Sequence, residues 1–238
     1  MACNRDESRR RAAALPPEIH EIGDRRAMMP IDPSSRGTWV AANDAGLLLT
    51  LLNYNPKHED NTFAALDARI SRGTIIPRLL EARCVADVDA ELLQLDAGDF
   101  APFRLVAVDD QTWLEARGNG SSMVVTRSAL GAAPLLFASS GLGDYLVDAP
   151  RRALFEEKFI GPTFQPAIQD EYHRHSWKDQ THLSVCMRRE AAITVSLTTV
   201  EVSRSTVSMN YHPGPPDEDA AETLLELKRV AQSRCGVE

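Results

Sequence analysis

The chain has 238 residues, of which 26 are basic and 34 acidic, so its formal net charge is −8. A chain of this length buries enough surface to need neither disulfides nor a metal to hold a core. The hydrophobic share of 43% and the charged share of 25% exclude collagen, coiled coils and wholesale disorder. No sequence run approaches the ~20 apolar residues of a membrane helix, so no membrane span is expected.

The acidic balance argues against a nucleic-acid partner, because phosphate binding depends on clustered Lys and Arg. The densest basic stretch, residues 9–11, is interpreted as a solvated turn. The cysteines lie far apart, with no pair at the spacing of a metal or redox motif, at Cys3, Cys84, Cys186 and Cys235. Because no signal peptide is visible, we expect reduced thiols in a cytoplasmic protein.

In the first quarter of the chain, strands are predicted from apolar runs and loops from proline. Residues 12–17 and 28–33 each contain two prolines and are predicted to be loops. Residues 37–41 and 47–52 are predicted strands, joined by a turn at 43–46. The second strand is apolar on both faces, which indicates that both of its faces are covered.

Two short helices and three strands are predicted next. Ser71 is expected to cap a helix that runs through Leu80, and Asp87 a second helix that runs through Leu93. Alternation then predicts strands at 103–108, 113–117 and 123–126.

The second half is predicted to hold two helices and three strands. Asp148 is expected to open a helix with Pro150 in its first turn, and residues 161–170 to form a connector. Alternating residues predict strands at 183–188, 193–202 and 206–211, and a final helix is expected to begin at Asp217 and to end before Gly236. This order of elements favours an α+β fold with largely antiparallel sheets.

Four polar residues, Asn4, Arg5, Asp6 and Glu7, follow one another near the start. In a strand, Arg5 and Glu7 would share one face while Asn4 and Asp6 share the other. Arg5 offers a rigid fork of donors that a carboxylate such as Asp6 can accept. Four such residues are buried only if they are paired, and taken alone the tetrapeptide is typical of an exposed turn.

With its surroundings, however, the sequence resembles the NRDE-domain family, also called the Transport and Golgi organisation 2 family, especially its bacterial branch. The blocks that carry the resemblance are Asn4-Arg5-Asp6-Glu7, residues 37–43 with 51–54, 71–73, 102–105, 139–144 and 184–187. They cover nearly the whole chain. The resemblance implies one domain over residues 1–238 with an N-terminal-nucleophile-hydrolase-like αββα sandwich of mostly antiparallel sheets.

The resemblance also implies a chemistry. In relatives of that fold, a Cys directly after the initiator Met becomes the N-terminal residue, its thiol attacks an acyl carbon, and its α-amine acts as the base. Arg5 and Asp6 would orient the amine and the thiolate, and Asn53 would donate to the oxyanion. Binding residues carried over in the same way are Asn4, Glu7, Trp39 and Ser140. No metal and no cofactor are implied.

The sequence departs from this pattern at the decisive position, because residue 2 is Ala and Cys3 directly precedes Asn4. The preceding strand, about 10 residues by typical hairpin lengths, is expected to be missing. Either the sequence starts inside a longer reading frame that begins Met-Cys, or this member has lost its nucleophile and only binds. The first explanation is favoured because the rest of the fold is intact. Relatives often place Asn near Ser140, where Ser is a shorter donor.

Two functional classes follow. The first is an acyl or amide hydrolase acting on a small-molecule substrate. The second is a non-catalytic protein that binds or traffics an apolar ligand such as haem or a lipid. Cys3 is interpreted as a core residue rather than a nucleophile, and a metal site at His173, His175 and His182 is disfavoured because no carboxylates complete it.

Overall fold

The computed structural model describes residues 1–55, 70–159 and 165–230, whose strands form two antiparallel sheets. With strands numbered along the chain, the four-stranded sheet has the order β1 (Ala2–Ser8), β9 (Ala192–Val202), β10 (Thr206–Pro213) and β11 (Thr223–Lys228). The seven-stranded sheet is a meander of β2 (Leu15–Ile22), β3 (Arg25–Ile31), β4 (Val40–Asn43), β5 (Leu48–Asn53), β6 (Phe103–Val108), β7 (Thr112–Gly118) and β8 (Met123–Ala129).

Four α-helices flank the sheets: α1 (Ile75–Arg78), α2 (Val85–Leu92), α3 (Asp144–Lys158) and α4 (Pro166–Arg174). None of the helices in the described ranges is long and apolar enough to cross a membrane.

Three apolar clusters define the layers of the sandwich. Between the sheets, Met28 and Val40 pack in one cluster with Val200 and Met209. A second cluster joins α1 and α2 to the outer face of the seven-stranded sheet, and a third, around Tyr172, holds α3 and α4 together. Because α4 lies beside β1, the order of layers is helix, sheet, sheet, helix. The predicted α+β class with mostly antiparallel sheets is confirmed.

Two strands occupy proline-containing stretches that the sequence predicts as loops. β2 covers residues 15–17 of the first stretch, and its prolines lie at an irregularity in register between Leu15 and Glu18 on an edge strand. In β3, Pro30 lies beyond the short pairing with β4, which involves only Ala27 and Met28. Proline lacks the donor that a ladder needs, so it is tolerated at edges and irregularities. The loop predictions are therefore wrong for residues 15–17 and 28–31, whereas residues 12–14 and 32–33 lie outside the strands.

The helix predictions need four corrections. The segment after Ser71 is a 3₁₀ turn followed by the four-residue α1, and Ser71 makes no side-chain cap. α2 begins two residues before Asp87. α3 begins at Asp144, four residues earlier than predicted, so Pro150 lies inside the helix. The predicted connector contains α4 from Pro166 onward, while residues 160–164 lie outside the described residues.

Two further predictions fail near the C-terminal end. β11 replaces the first part of the predicted final helix, because Leu225 and Leu227 alternate toward the sheet and short apolar runs fit either period. The end of that predicted helix lies outside the described residues. Residues 183–188 form no strand; their backbone groups bind both loop backbone and side chains, and Arg151 binds the Leu183 and Ser184 carbonyls.

Candidate active site

β1 directs its motif side chains to two sides, as the alternation predicts. Arg5 faces the seven-stranded sheet, where it contacts Asp32, and its neighbour Glu7 lies on the same side. Asn4 and Asp6 face the layer of α3 and α4. The pairing of β1 with β9 shifts register between Arg5 and Asp6, but the two faces are kept. The motif therefore supplies two separate polar networks.

Arg5 is 7% exposed and is held by an aromatic ring and two carboxylates. Its Nη2 donates to Asp32 Oδ2 at 2.9 Å and to Glu7 Oε2 at 3.2 Å, and its Cζ lies 4.2 Å from the Trp39 ring centroid. Burial raises the pKa of Asp32, but hydrogen bonds from the Ser34 amide and Arg11, with the charges of both arginines, bring that pKa below its ordinary value. Arg5 thus pairs with Asp32 and Glu7 rather than with Asp6.

Asp6 occupies the second network. Its Oδ1 accepts a hydrogen bond from Thr194 Oγ1 at 2.6 Å, and its Oδ2 lies 4.0 Å from Arg151 Nη2. Burial raises the pKa of Asp6 above its ordinary value, although Arg151, Thr194 and Arg189 oppose the shift. A carboxyl group in this setting binds a proton more readily than one in water does.

Arg151 on α3 connects Asp6 with two distant loops. It is 7% exposed, and its Nε and Nη2 donate to the carbonyls of Leu183 and Ser184 at 3.0 and 2.6 Å, while Nη1 donates to the Ser139 carbonyl at 3.4 Å. Arg151 is not among the site residues predicted from the sequence. The feature that could have identified it is a charged residue on the same helical face as buried Val147 and Leu154.

Ser140 is buried in a turn that binds the end of β5. Its amide donates to Asp144 Oδ1 at 2.9 Å, and its carbonyl accepts from Asn55 Nδ2 at 3.0 Å. Asp144 Oδ2 in turn accepts from the Asn55 amide at 2.9 Å. The Ser140 hydroxyl accepts from the Leu142 amide, so the side chain shapes the turn.

Asn53 ends β5, is exposed, and pairs through its backbone with Phe103. It shares strand parity with Leu49 and Leu51, which pack on the helix-covered face. Within the described ranges its side chain makes no hydrogen bond to Arg5 or Asp6. The structure therefore links Asp6 to the Ser139–Ser140 turn through Arg151, but does not link Asn53 to either motif residue.

Asn4 binds the end of α4. Its Nδ2 donates to the carbonyls of His173 and Val185 at 3.0 and 2.9 Å, and its Oδ1 lies 3.2 Å from His173 Nδ1. Together with Arg5, Asp6 and Glu7, it completes a motif in which every side chain has a partner, so the exposed-turn alternative does not apply.

Two of the cysteines are free, and neither is activated. Burial raises the pKa of Cys3 to about 11, and Cys3 packs between the sheets as predicted. Burial and the hydrogen bond to Asp217 raise the pKa of Cys186 to about 12. A reactive thiol needs a lowered pKa. Cys84 is disulfide-bonded, so the expectation of reduced thiols is wrong at this residue.

Among the described residues, no group of three or more His, Cys, Asp or Glu side chains is placed to hold a metal ion.

The αββα sandwich, with Asp6 of the first strand paired with Arg151, identifies a class of protein but not its activity. Within that class, the sequence profile of Transport and Golgi organisation 2 matches residues 1–143, and the chain belongs to that family. Membership of its bacterial branch stays a prediction. No curated protein matches the sequence.

Among solved structures, the chain is similar to a variant of conjugated bile acid hydrolase from Clostridium perfringens. The identity is 10% and the TM-score 0.42, and the match covers 98% of this chain and 92% of that one. At this TM-score the similarity adds nothing to the argument on fold or chemistry.

Proposed function

We propose that this protein is an acyl or amide hydrolase of the N-terminal-nucleophile type, acting on a small-molecule substrate. The observation that carries the proposal is that Asp6, on the first strand, pairs with Arg151 of α3, which also binds the Ser139–Ser140 turn. That strand is where the mechanism implied by family resemblance needs charged groups around an N-terminal amine.

Asp6 is proposed as the group that orients the α-amine. In this mechanism the thiol proton passes to the amine, and the thiolate attacks the acyl carbon. The leaving group departs with that proton, and water then hydrolyses the thioester. Burial raises the pKa of Asp6, and an ammonium group beside it would lower that pKa, so the carboxylate and the amine would stabilise each other's charged forms.

Arg5 is proposed as a positioning residue. Its guanidinium is occupied by Asp32, Glu7 and the face of Trp39, so its role is to fix β1 against the other sheet. Asn53 remains proposed as the oxyanion donor. It ends β5 two residues before Asn55, whose side chain donates to the Ser140 carbonyl, and this contact supports a place for Asn53 near the Ser139–Ser140 turn.

The mechanism requires an N-terminal cysteine, and neither free thiol meets the requirement. The proposal therefore requires a mature protein with a cysteine, and a strand carrying it, ahead of β1. The protein purified from its own cells is assayed against a panel of small amides and thioesters. Asp6→Asn is expected to lower kcat/KM at least ~100-fold, whereas the control Asp219→Asn, at an exposed site, leaves it unchanged.

A second candidate function is binding of an apolar ligand such as haem or a lipid. The observation that favours it is a cleft of about 470 Å³, lined chiefly by the aromatic side chains of Trp113, Phe137, Phe155 and Phe159. Titration with haem and with a fatty acid tests this function. Saturable binding that Phe155→Ala abolishes, with no turnover of any acyl substrate, would favour the binding function over hydrolysis.

A cytoplasmic location is also proposed. The free thiols of Cys3 and Cys186 support it, whereas the Cys84 disulfide is more typical of an oxidising compartment. Counting of alkylated cysteines by mass spectrometry, after trapping in intact cells, decides between the two.

A further inference from the structure

A cavity of about 250 Å³, lined by both polar and apolar residues, lies between α4 and the outer face of the four-stranded sheet. It has room for roughly eight water molecules at ~30 Å³ each. Its lining includes the side chains of Asp170, His173, Arg174, Glu201, Asn210 and Glu222. None of these residues takes part in the proposed hydrolysis.

The hydrogen bonds of Asn4 fix the tautomer of His173. Both Nδ2 hydrogens of Asn4 are used, since Nδ2 donates to the carbonyls of His173 and Val185. Its Oδ1 must therefore accept, so His173 Nδ1 carries a proton and donates across 3.2 Å. In the neutral ring Nε2 then holds a lone pair, and within the described residues it has no hydrogen-bond partner.

Burial keeps this imidazole neutral. Together with the positive charges of the N-terminal ammonium and Arg151, burial lowers the pKa of His173 to about 4. At neutral pH the ring therefore presents an acceptor, not a cation, to the cavity that it lines.

The other polar groups of the cavity also leave a surplus of acceptors. Arg174 is committed to Asp170 and to the Pro216 carbonyl. Glu222 accepts from Asn210 Nδ2 at 2.6 Å, and its other oxygen lies 3.2 Å from the Nδ1 atom of His212. A carboxylate has about four acceptor positions, so Glu222 and Asp170 retain free ones.

Charge points in the same direction. Three carboxylates line the cavity, at Asp170, Glu201 and Glu222, against two positive charges, the guanidinium of Arg174 and the Met1 ammonium. His212 has an acceptor at each ring nitrogen, and the Met1 ammonium donates to the Val200 carbonyl at the wall. The cavity thus suits a ligand that brings hydrogen-bond donors and positive charge.

We propose that this cavity binds a small organic ammonium ion, which donates to His173 Nε2 and whose charge is balanced by Glu222 and Asp170. The site goes beyond the proposed hydrolysis, because binding is measured without turnover and on the 238-residue chain, whose Met1 lines the cavity.

Calorimetric titration of the full chain with three probes that share a four-carbon chain tests the proposal. Butane-1,4-diamine is expected to bind at neutral pH, and butane-1,4-diol and butanoate are not. His173→Gln is expected to weaken diamine binding about tenfold or more, as loss of a hydrogen bond to a charged group does. The control His182→Gln, at an exposed position outside the lining, leaves the affinity unchanged.

A second pair separates charge from shape. Glu222→Gln is expected to weaken diamine binding, and Glu226→Gln, exposed on β11, is not. In the wild-type protein labelled with ¹⁵N-histidine, the Nε2 signal of His173 is expected to be that of an unprotonated nitrogen and to shift when diamine is added.

The proposal is overturned if the diol binds as tightly as the diamine, or if no diamine binds. It is also overturned if folded His173→Gln keeps the wild-type affinity. If that variant does not fold, the ¹⁵N titration decides, and an Nε2 signal that does not move with diamine refutes the site.

Discussion

Arg151 on α3 lies beside Asp6 on β1, with 4.0 Å between its Nη2 and the Oδ2 of Asp6. Its guanidinium also donates hydrogen bonds to three backbone carbonyls. The pair joins residues 145 positions apart in sequence. It fastens the helix layer to the edge strand that carries the motif. Because Arg151 is 7% exposed, its loss leaves buried carbonyls without a donor and removes the cation beside Asp6, whose side chain is 24% exposed.

Arg151→Gln is therefore expected to lower the free energy of unfolding by about 3 kcal/mol, because each buried carbonyl left without its donor costs about 1–3 kcal/mol. Denaturant unfolding monitored by circular dichroism measures the loss. The control is Arg152→Gln on the same helix, whose exposed pair with Asp148 contributes ~0.5 kcal/mol or less. Equal losses in the two variants would contradict the role given to Arg151.

Asp6→Asn tests the raised pKa. A carboxyl group whose pKa is raised on folding favours the folded state in its protonated form, so its contribution to stability declines as pH rises above about 3.8. Relative to the wild type, Asp6→Asn should therefore gain stability as pH rises through that range. Unfolding free energies measured for both proteins from pH 4 to 8 check this; a constant difference would mean that Asp6 titrates normally.

The stability of the wild-type protein should also fall as pH drops from about 6.5 toward 4, because His173 resists protonation in the folded state but not in the unfolded chain. The pKa of about 4 corresponds to a loss of as much as ~3 kcal/mol. His173→Gln removes this dependence. The comparison is made with His182→Gln, which should retain it, and identical pH profiles for both variants would be inconsistent with a neutral buried imidazole.

Arg5→Lys keeps the charge but loses the planar guanidinium, whose Nη2 donates to both Asp32 and Glu7 and whose Cζ lies over the Trp39 ring. We expect a loss of about 2 kcal/mol in unfolding free energy, typical of hydrogen bonds to buried charges. Arg10→Lys, at an exposed position in the following turn, should change stability little. An unchanged unfolding free energy in Arg5→Lys would indicate that the polar network between the sheets is not needed for folding.

The thiol pKa values predict slow chemistry. With a pKa of about 11, Cys3 should react with iodoacetamide in the folded protein at least ~100-fold more slowly than an unperturbed thiol. Peptide mapping of alkylated protein gives the rate for each cysteine. Rapid labelling of Cys3 at neutral pH would restore it as a candidate nucleophile.

The local sequence pattern was sufficient to predict which side chains of the Asn4–Glu7 motif share a face of the first strand. Alternation placed Arg5 and Glu7 opposite Asn4 and Asp6, and the structure keeps that division despite a shift in register. The partners of these residues could not be predicted in the same way. Arg151 and His173 lie on helices far along the chain, and nothing local in the sequence pairs them with β1.

The missed strands have a similar explanation. β2 and β3 tolerate proline because of where they lie in the sheet, which depends on strand order rather than on local composition. β11 was predicted as a helix because Leu224 and Leu227 fit a helical period, whereas its pairing with β10 comes from tertiary contacts.

The intact mass and N-terminal sequence of the mature protein, purified from its own cells, test the central proposal most directly. If the protein hydrolyses its substrate through an N-terminal nucleophile, the mature chain begins with cysteine. When substrate is added, that cysteine gains the mass of the acyl group. A mature chain that begins at Met1 or Ala2, and acquires no acyl group, would contradict it.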